Sequence, residues 1–445
     1  MRERTFKRGT HPFEGKELSK DCPIQKAEAA EEMVFPLSQS IGADSKAVVA
    51  VGDRVLKGEL IAEAGGFISA PIFSSVSGTV KAIEKRYVAN GSAVDSIVIE
   101  NDNQYETVEG FGAERKLDDL SAEDIAQIIK ESGIVGLGGA GFPTSVKLSP
   151  KNPQNIDTII INGAECEPYL TSDYRLMVEK SDEIISGIYA ILKLFPNAKA
   201  AIGVEHNKLD VIKAFEDKLK FESKINVCPL KTKYPQGGER QLIYAVTGRK
   251  INSKMLPADK GCLVVNTATC YAIYEAVYKS MPLIHKVMTI TGEGVNSPCN
   301  LDVPLGVSHK EVLKQAGGAK AEVKKFISGG PMMGIAMSNL DVPVVKTSAS
   351  IVAFIEDDLT AIKQTACIHC GKCVSVCPQS LVPQMLAKSV KSNDFEKFAS
   401  LGGMECIECG CCAFTCPAKI PLTQMFKMGK DKVRDMRKIQ KLGGE

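Results

Sequence analysis

Residues 367–378 read CIHCGKCVSVCP, and residues 406–417 read CIECGCCAFTCP. Each run sets three cysteines with two residues between neighbours, then a fourth after three more residues, then proline. The first holds Cys367, Cys370, Cys373 and Cys377 before Pro378; the second holds Cys406, Cys409, Cys412 and Cys416 before Pro417. Three thiolates so closely spaced wrap one iron–sulfur cubane, and the fourth, turned away by the proline, reaches the cubane of the other run. The spacing therefore assigns Cys367, Cys370, Cys373 and Cys416 to one [4Fe–4S] cluster, and Cys377, Cys406, Cys409 and Cys412 to a second. Zinc sites usually draw four ligands from two spaced pairs, a habit that two runs of four do not follow. Cys411 breaks the repeat and reads as a spare thiol that could compete as a ligand.

Working outward, Val382–Leu401 between the runs reads as two short helices. The chain holds fifteen cysteines, nine of them between Cys367 and Cys416. An odd total, tight clustering and an N-terminus without an apolar h-region point to metal ligands in a reducing compartment, not to disulfides. At 445 residues the chain exceeds what one hydrophobic core serves, so about three or four domains are expected. With net charge +2 and no basic stripe, nucleic acid is excluded as a partner. No stretch approaches the roughly 18 apolar residues of a membrane span, so a membrane role is expected to come through partner subunits.

The middle of the chain carries the second signal. Ser121 and Asp124 look like a capping box, with Ile125, Ile128 and Ile129 on one helical face ending at Gly133. The loop GLGGAGFPT (136–144) follows. Gly136, Gly138 and Gly141 fit GxGxxG, but a helix precedes them, where a Rossmann fingerprint needs a strand. The physical content survives: without side chains, backbone N–H groups approach a phosphate or a flat ring closely, and Lys147 just beyond could neutralise a phosphate. A buried strand, 157–161, then ends in Asn162-Gly163-Ala164-Glu165-Cys166-Glu167-Pro168-Tyr169. Ligands collect at the carboxyl ends of strands in open α/β sheets, so Glu165 and Glu167 are candidates to bind ring N–H or ribose hydroxyl groups. A helix near 174–194, a strand near 200–204, a helix near 207–219 and a strand near 224–229 follow, then a polar loop Tyr234–Arg240 and a strand 262–265 ending at Asn266. This alternation predicts a mostly parallel sheet. Cys166, His206, His285 and His309 read as structural, Met332 and Met333 as packing, and His369 as tuning its cluster.

Nearer the N-terminus, GDRVLKGELIAE (52–63) and SAPIFSSVSGTVKAIE (69–84) resemble lipoyl- and biotinyl-type barrel-sandwich domains. The hairpin tip, Glu63-Ala64-Gly65-Gly66, lacks the modified lysine, so the fold is implied without the swinging arm. Together with TFKRGTHPFEGKELSKDCPI (5–24), GLGGAGFPTSVK (136–147), INGAECEPYLTSDYRLM (161–177), KYPQGGERQLIYAVTG (233–248), ISGGPMMG (327–334) and the two cysteine runs, the chain resembles the RnfC family. These are the electron-input subunits of Rnf ion-translocating ferredoxin:NAD oxidoreductases. Its middle is similar to the flavin subunit of respiratory complex I.

The resemblance implies a multidomain α/β protein: an N-terminal segment and lipoyl-like barrel-sandwich hybrid domain (1–110), an α/β FMN- and NADH-binding domain (115–283), a β-grasp-like SLBB module (284–350), a C-terminal α-helical two-cluster ferredoxin-type domain (355–425) and a basic tail (426–445). It carries non-covalent FMN contacts onto Gly138, Gly139, Gly141, Lys147, Asn162, Glu165, Tyr234, Glu239 and Asn266. It makes Glu165 and Glu167 the candidate catalytic carboxylates, with Glu167 near NADH or NAD+. Ala164 and Gly238 stand where complex I subunits carry acidic residues, which weakens nucleotide contacts. The implied function is electron transfer between NADH, FMN and the clusters within an ion-translocating ferredoxin:NAD+ oxidoreductase. The implied partners are membrane subunits and the ferredoxin-like RnfB, with ferredoxin engaged indirectly, and the implied location is peripheral on the cytoplasmic side of the inner membrane. Two other expectations compete: a soluble cobalamin reductase of bacterial microcompartments with this domain order, and a flavin-free iron–sulfur adaptor.

Overall fold

The computed structural model describes residues 3–356 and 362–442. Strand β1 (Ile24–Lys26) precedes a barrel sandwich built from β2 (Glu32–Pro36), β3 (Lys46–Ala47), β4 (Arg54–Val55), β5 (Leu60–Glu63), β6 (Ile72–Phe73), β7 (Gly78–Tyr87) and β8 (Ala93–Asn101). They form one sheet in the order β2-β8-β7-β4 and another in the order β3-β5-β6. Inward-facing alternate residues, among them Met33, Phe35, Ile61, Ile97 and Ile99, are wholly buried.

Helix α1 (Ala122–Glu131) opens on the expected capping box. The Asp124 amide donates to Ser121 Oγ (3.1 Å), and the Ser121 amide donates to Asp124 Oδ2 (2.8 Å). The glycine loop joins α1 to the short α2 (Thr144–Lys147). Strands β9 (Thr158–Gly163), β10 (Lys199–Glu205), β11 (Ile225–Leu230) and β12 (Cys262–Asn266) make a wholly parallel sheet in the order β11-β10-β9-β12. Chain order reverses at β9, whose carboxyl end is therefore the topological switch point where α/β sheets place ligands. Around the sheet lie α3 (Ser172–Glu179), α4 (Ser181–Leu194), α5 (Leu209–Lys218), α6 (Glu239–Thr247) and α7 (Thr267–Lys279). The single helix expected near 174–194 is two helices, broken at Lys180 (φ −127°, ψ 31°). Ser181-Asp182-Glu183, with acidic groups favoured in a first turn, restarts it.

The third module comprises β13 (His285–Thr291), β14 (Cys299–Pro304), α8 (His309–Gln315), β15 (Lys325–Ser328), β16 (Ile335–Met337) and β17 (Ser350–Phe354). Its sheet runs β1-β14-β13-β17-β15-β16. The expected boundary at 350 cuts β17, a central strand whose Ile351, Val352 and Ala353 are buried.

Helices Lys372–Val376, Pro383–Lys391, Phe395–Ser400, Cys411–Phe414 and Leu422–Leu442 form the last unit. Leu386, Val390, Phe398, Phe426 and Val433 share its core. The expected basic tail is corrected by this packing: residues 426–442 continue a helix that buries Phe426 and Val433 while its lysines and arginines mostly face outward. Residues 443–445 of the tail lie outside the described residues, as do 1–2 and 357–361 of the expected first and fourth domains.

The N-terminal segment also departs from expectation, because it leaves the barrel and lies across the parallel-sheet domain. The Arg4 amide donates to Pro229 O (2.9 Å), and Thr10 and Tyr234 exchange backbone hydrogen bonds (2.9 Å each). Gly9 N donates to Val376 O, and the Arg8 guanidinium to Val374 O, both at 3.0 Å, inside the first cysteine run. Among the described residues, no helix is long and apolar enough to cross a membrane.

Candidate cofactor site

The glycine loop is a tight hairpin. Gly136 N donates to Phe142 O (2.9 Å) and Thr144 N to Ile134 O (3.0 Å). Its base is fixed from both sides, since Leu137 N donates to Thr269 Oγ1 (3.0 Å) and Leu137 O accepts from Lys286 Nζ (2.8 Å). A Cβ at Gly138 would lie 2.6 Å from Asn266 Nδ2, and one at Gly141 (φ +71°) would lie 2.6 Å from Thr347 Cγ2. At Gly139 a Cβ would meet nothing within 4 Å. That glycine leaves bare backbone open to a ligand.

The loop overhangs a cavity of about 520 Å³, within the range of small-molecule and cofactor sites. Gly138, Gly139, Gly141, Lys147, Asn162, Glu165, Glu167, Glu239 and Asn266 all line it. Lys147 Nζ donates to Glu239 Oε1 (3.2 Å) and Val264 O (3.0 Å), tying two expected contacts together. Asn162 Nδ2 donates to Gly237 O (2.9 Å) and so joins the β9 tip to the second polar loop. Asn266 caps α7 through Ala268 N (2.9 Å), while its Nδ2 donates to Asp173 Oδ2 (2.6 Å). The residues fit a flavin phosphate on a further observation: Asn266, Ala268 and Thr269, at the N-terminus of α7, line the cavity, and such termini favour anions.

The two glutamates have different employment. Glu165 (φ 44°) accepts from Asp173 N (2.7 Å) and Tyr174 N (3.2 Å), so both its oxygens serve the start of α3. Lys16 Nζ lies 4.0 Å away; it donates to the Glu167 carbonyl (3.0 Å) and to the Leu170 carbonyl. Burial pushes the Glu165 carboxyl up and the Lys16 ammonium down. Glu167 accepts from Tyr234 OH (3.1 Å) and Met332 N (3.1 Å), and burial raises its pKa to about 7. Tyr234 does not line the cavity; it is buried behind Glu167, in one apolar cluster with Cys409 and Cys411. Cys166 accepts from Gly237 N (3.2 Å).

The cysteines fall into an outer and an inner set. Cys367 and Cys370 are exposed, whereas Cys377 and Cys409 are each 8% exposed. Cys377, Cys406, Cys409 and Cys412 line one small space together with Cys411. Burial raises the Cys373 thiol, and nearby Cys416 raises it further, so the other crosswise pair is also adjacent. Burial lifts Cys406 to about 11, with Cys409 and Cys377 adding to the shift. Thiols so crowded lose their protons to a cluster that binds thiolates. Among the described residues, no three metal-ligating side chains converge on a single ion. Cys411, buried in the apolar cluster with Tyr234, donates to Cys409 and lowers its pKa. Cys409 of the inner set and its near neighbour Ile407 also line the glycine-loop cavity.

Sequence reasoning missed Lys16, Asp173 and Lys286, none of which carried a local signal.

Family models match four successive segments: the RnfC barrel sandwich hybrid domain over residues 4–104, the Nuo51 FMN-binding domain over 129–275, the SLBB domain over 287–336 and a 4Fe-4S dicluster domain over 360–436. The C subunit of the proton-translocating ferredoxin:NAD(+) oxidoreductase complex of Clostridium ljungdahlii is 44% identical, over 86% of this chain and 84% of its own. Its counterpart in the Na(+)-translocating complex of Acetobacterium woodii is 41% identical, over 96% and 97%. The corresponding subunit of the ion-translocating oxidoreductase complex of Rhodobacter capsulatus is 39% identical, over 97% and 84%. A crystal structure of an NAD+-reducing [NiFe]-hydrogenase in the H2-reduced state superposes with a TM-score of 0.50 at 18% identity, over 63% of this chain and 57% of that one, a likeness of fold.

Fold and site together define a flavin and iron–sulfur protein, with an FMN-binding domain and a domain for two [4Fe–4S] clusters. The chain belongs to the family of C subunits of ion-translocating ferredoxin:NAD(+) oxidoreductase complexes.

Proposed function

We propose that this chain passes electrons between NADH and its two clusters by way of FMN, within a membrane-bound complex that couples ferredoxin:NAD+ oxidoreduction to ion transport. One observation carries the reading: Cys409 of the inner cysteine set and its near neighbour Ile407 line the same cavity as Gly138, Gly139 and Asn266. A flavin there exchanges two electrons with a nicotinamide and one at a time with a cluster, which is the chemistry the protein positions and does not itself perform. Gly139 admits the ring, and Asn266 with the first turn of α7 holds the phosphate. Lys147 and Glu239 brace the rim. Glu167 orients Tyr234 against the inner cysteines and stands nearest the nicotinamide end. Glu165 fixes the start of α3, so its part in catalysis is to shape the pocket.

The outer set, with Cys367 and Cys370 exposed, is where partner subunits exchange electrons, the ferredoxin-like subunit first among them. Membrane attachment and ion movement belong to those partners, a reading supported by the family to which the chain belongs. The test is anaerobic purification with flavin and iron assays, then NADH titration followed in the visible spectrum. Stoichiometric FMN that bleaches with NADH, followed by reduction of the clusters, is expected. Intact clusters without bound flavin, or an FMN band untouched by NADH, would refute the proposal.

A further inference from the structure

Lys286 stands on β13, in the module outside the FMN-binding match, yet its side chain forms part of the cavity wall. It is 5% exposed. Its ammonium donates to two carbonyls, Leu137 O (2.8 Å) in the glycine loop and Lys346 O (3.0 Å). A buried cation satisfied by neutral carbonyls is costly unless a negative charge comes near. Burial lowers its pKa to about 8, and Asp173 on α3 is the carboxylate that opposes the fall. Asp173 is already engaged by Asn266 Nδ2 at 2.6 Å.

Leu137 connects this cation to the N-terminus of α7, a helix of 13 residues. Its carbonyl accepts from Lys286 while its amide donates to Thr269 Oγ1 in the first turn. Asn266, Ala268 and Thr269 at that helix start line the cavity together with Leu137 and Lys286. The buried ammonium and the helix N-terminus thus share one cavity wall.

We infer that Lys286 belongs to the cofactor site: it anchors the base of the glycine loop and supplies the counter-charge for a phosphate monoester seated at the N-terminus of α7. The inference rests on the flavin reading and deepens it. It makes the third module a working part of the flavin pocket. A Lys286 that only braced the loop would matter equally for any flavin; a counter-charge matters only for one bearing phosphate.

The test uses the full chain with its clusters, stripped of flavin and titrated by fluorescence quenching with FMN and, separately, with riboflavin. The wild type is expected to prefer FMN. Lys286→Met should weaken FMN roughly thirtyfold or more, as removal of one member of a buried charge pair does, and leave riboflavin nearly unchanged. Lys286→Arg should retain most of the preference. Lys286→Gln keeps a donor for the two carbonyls without the charge and should also weaken FMN while sparing riboflavin. Lys286→Gln decides the matter if Lys286→Met loses iron or melts early. Equal losses for both ligands, or unchanged FMN binding, overturn the inference. A wild type that binds FMN and riboflavin equally overturns the inference but leaves the flavin reading standing; one that binds neither removes that reading itself.

Discussion

Gly138→Ala separates a glycine that packing requires from one that the ligand requires. The added methyl would sit 2.6 Å from Asn266 Nδ2, 2.8 Å from its Cγ and 2.9 Å from its Cβ. Asn266 has nowhere to go without loss. Moving it breaks the α7 N-cap, worth about 1 kcal/mol, and the bond to the buried Asp173 carboxylate, worth about 1.5–3 kcal/mol. Moving the loop instead breaks the Leu137–Thr269 and Leu137–Lys286 bonds, at similar cost. The expected destabilisation is about 2–4 kcal/mol, or about 5–15 °C in the melting of this domain. Gly139→Ala is the control. It meets nothing within 4 Å, so its stability should stay within about 0.5 kcal/mol of wild type while flavin affinity falls. The readouts are calorimetric melting and FMN titration of each variant. Equal melting temperatures for Gly138→Ala and wild type, or equal losses for both variants, would refute the reasoning.

Cys377→Ser should lose the inner cluster and keep the outer, although Cys377 belongs to the first run; half the iron should remain, with the spectroscopic signature left by Cys406→Ser and not that left by Cys373→Ser. Glu167, raised from 4.5 to about 7 by burial, holds its proton more tightly folded than unfolded. Stability is therefore expected to fall as pH rises from about 4.5 to 7, by at most about 3 kcal/mol; Glu167→Gln should flatten that slope in urea midpoints. His285 lies 3.0 Å from Glu275 and 2.5 Å from Asp302. Burial alone would lower its pKa, but the two carboxylates hold it well above 6.5. Its contribution is full below 6.5 and is lost as pH climbs through the folded value. His285→Leu should cost about 3–5 kcal/mol at pH 6, and its gap to wild type should narrow in alkaline buffers.

The two cysteine runs were legible because their spacing is a local property, confined to fifty residues. So were the glycine loop, the β9 tip and the strand end at Asn266, each a short motif beside a strand or helix end. Lys16 and Lys286 were not. Each is held by segments distant in sequence, Lys16 by Glu167 and Leu170 and Lys286 by Leu137 and Lys346, and in HKVMTIT a lysine near a strand end reads as a solvent-facing residue. Tyr234 shows the opposite failure: its motif was found, but its ring turned toward the cysteines, not into the cavity. The helix Leu422–Leu442 misled through composition, since seven basic residues mask the buried stripe that begins at Phe426.

The hydrogen bond from Arg8 to Val374 joins residues 366 positions apart. On the ribosome, a segment containing Arg8 emerges long before its counterpart in the first cysteine run exists. It must wait unpaired while the intervening domains fold in turn, and closing so long a loop makes its docking a late event. Metal loading and the settling of this strap are thereby linked in time: a chain whose cysteine runs remain empty should leave residues 4–10 open to proteases, giving a simple marker of incomplete maturation.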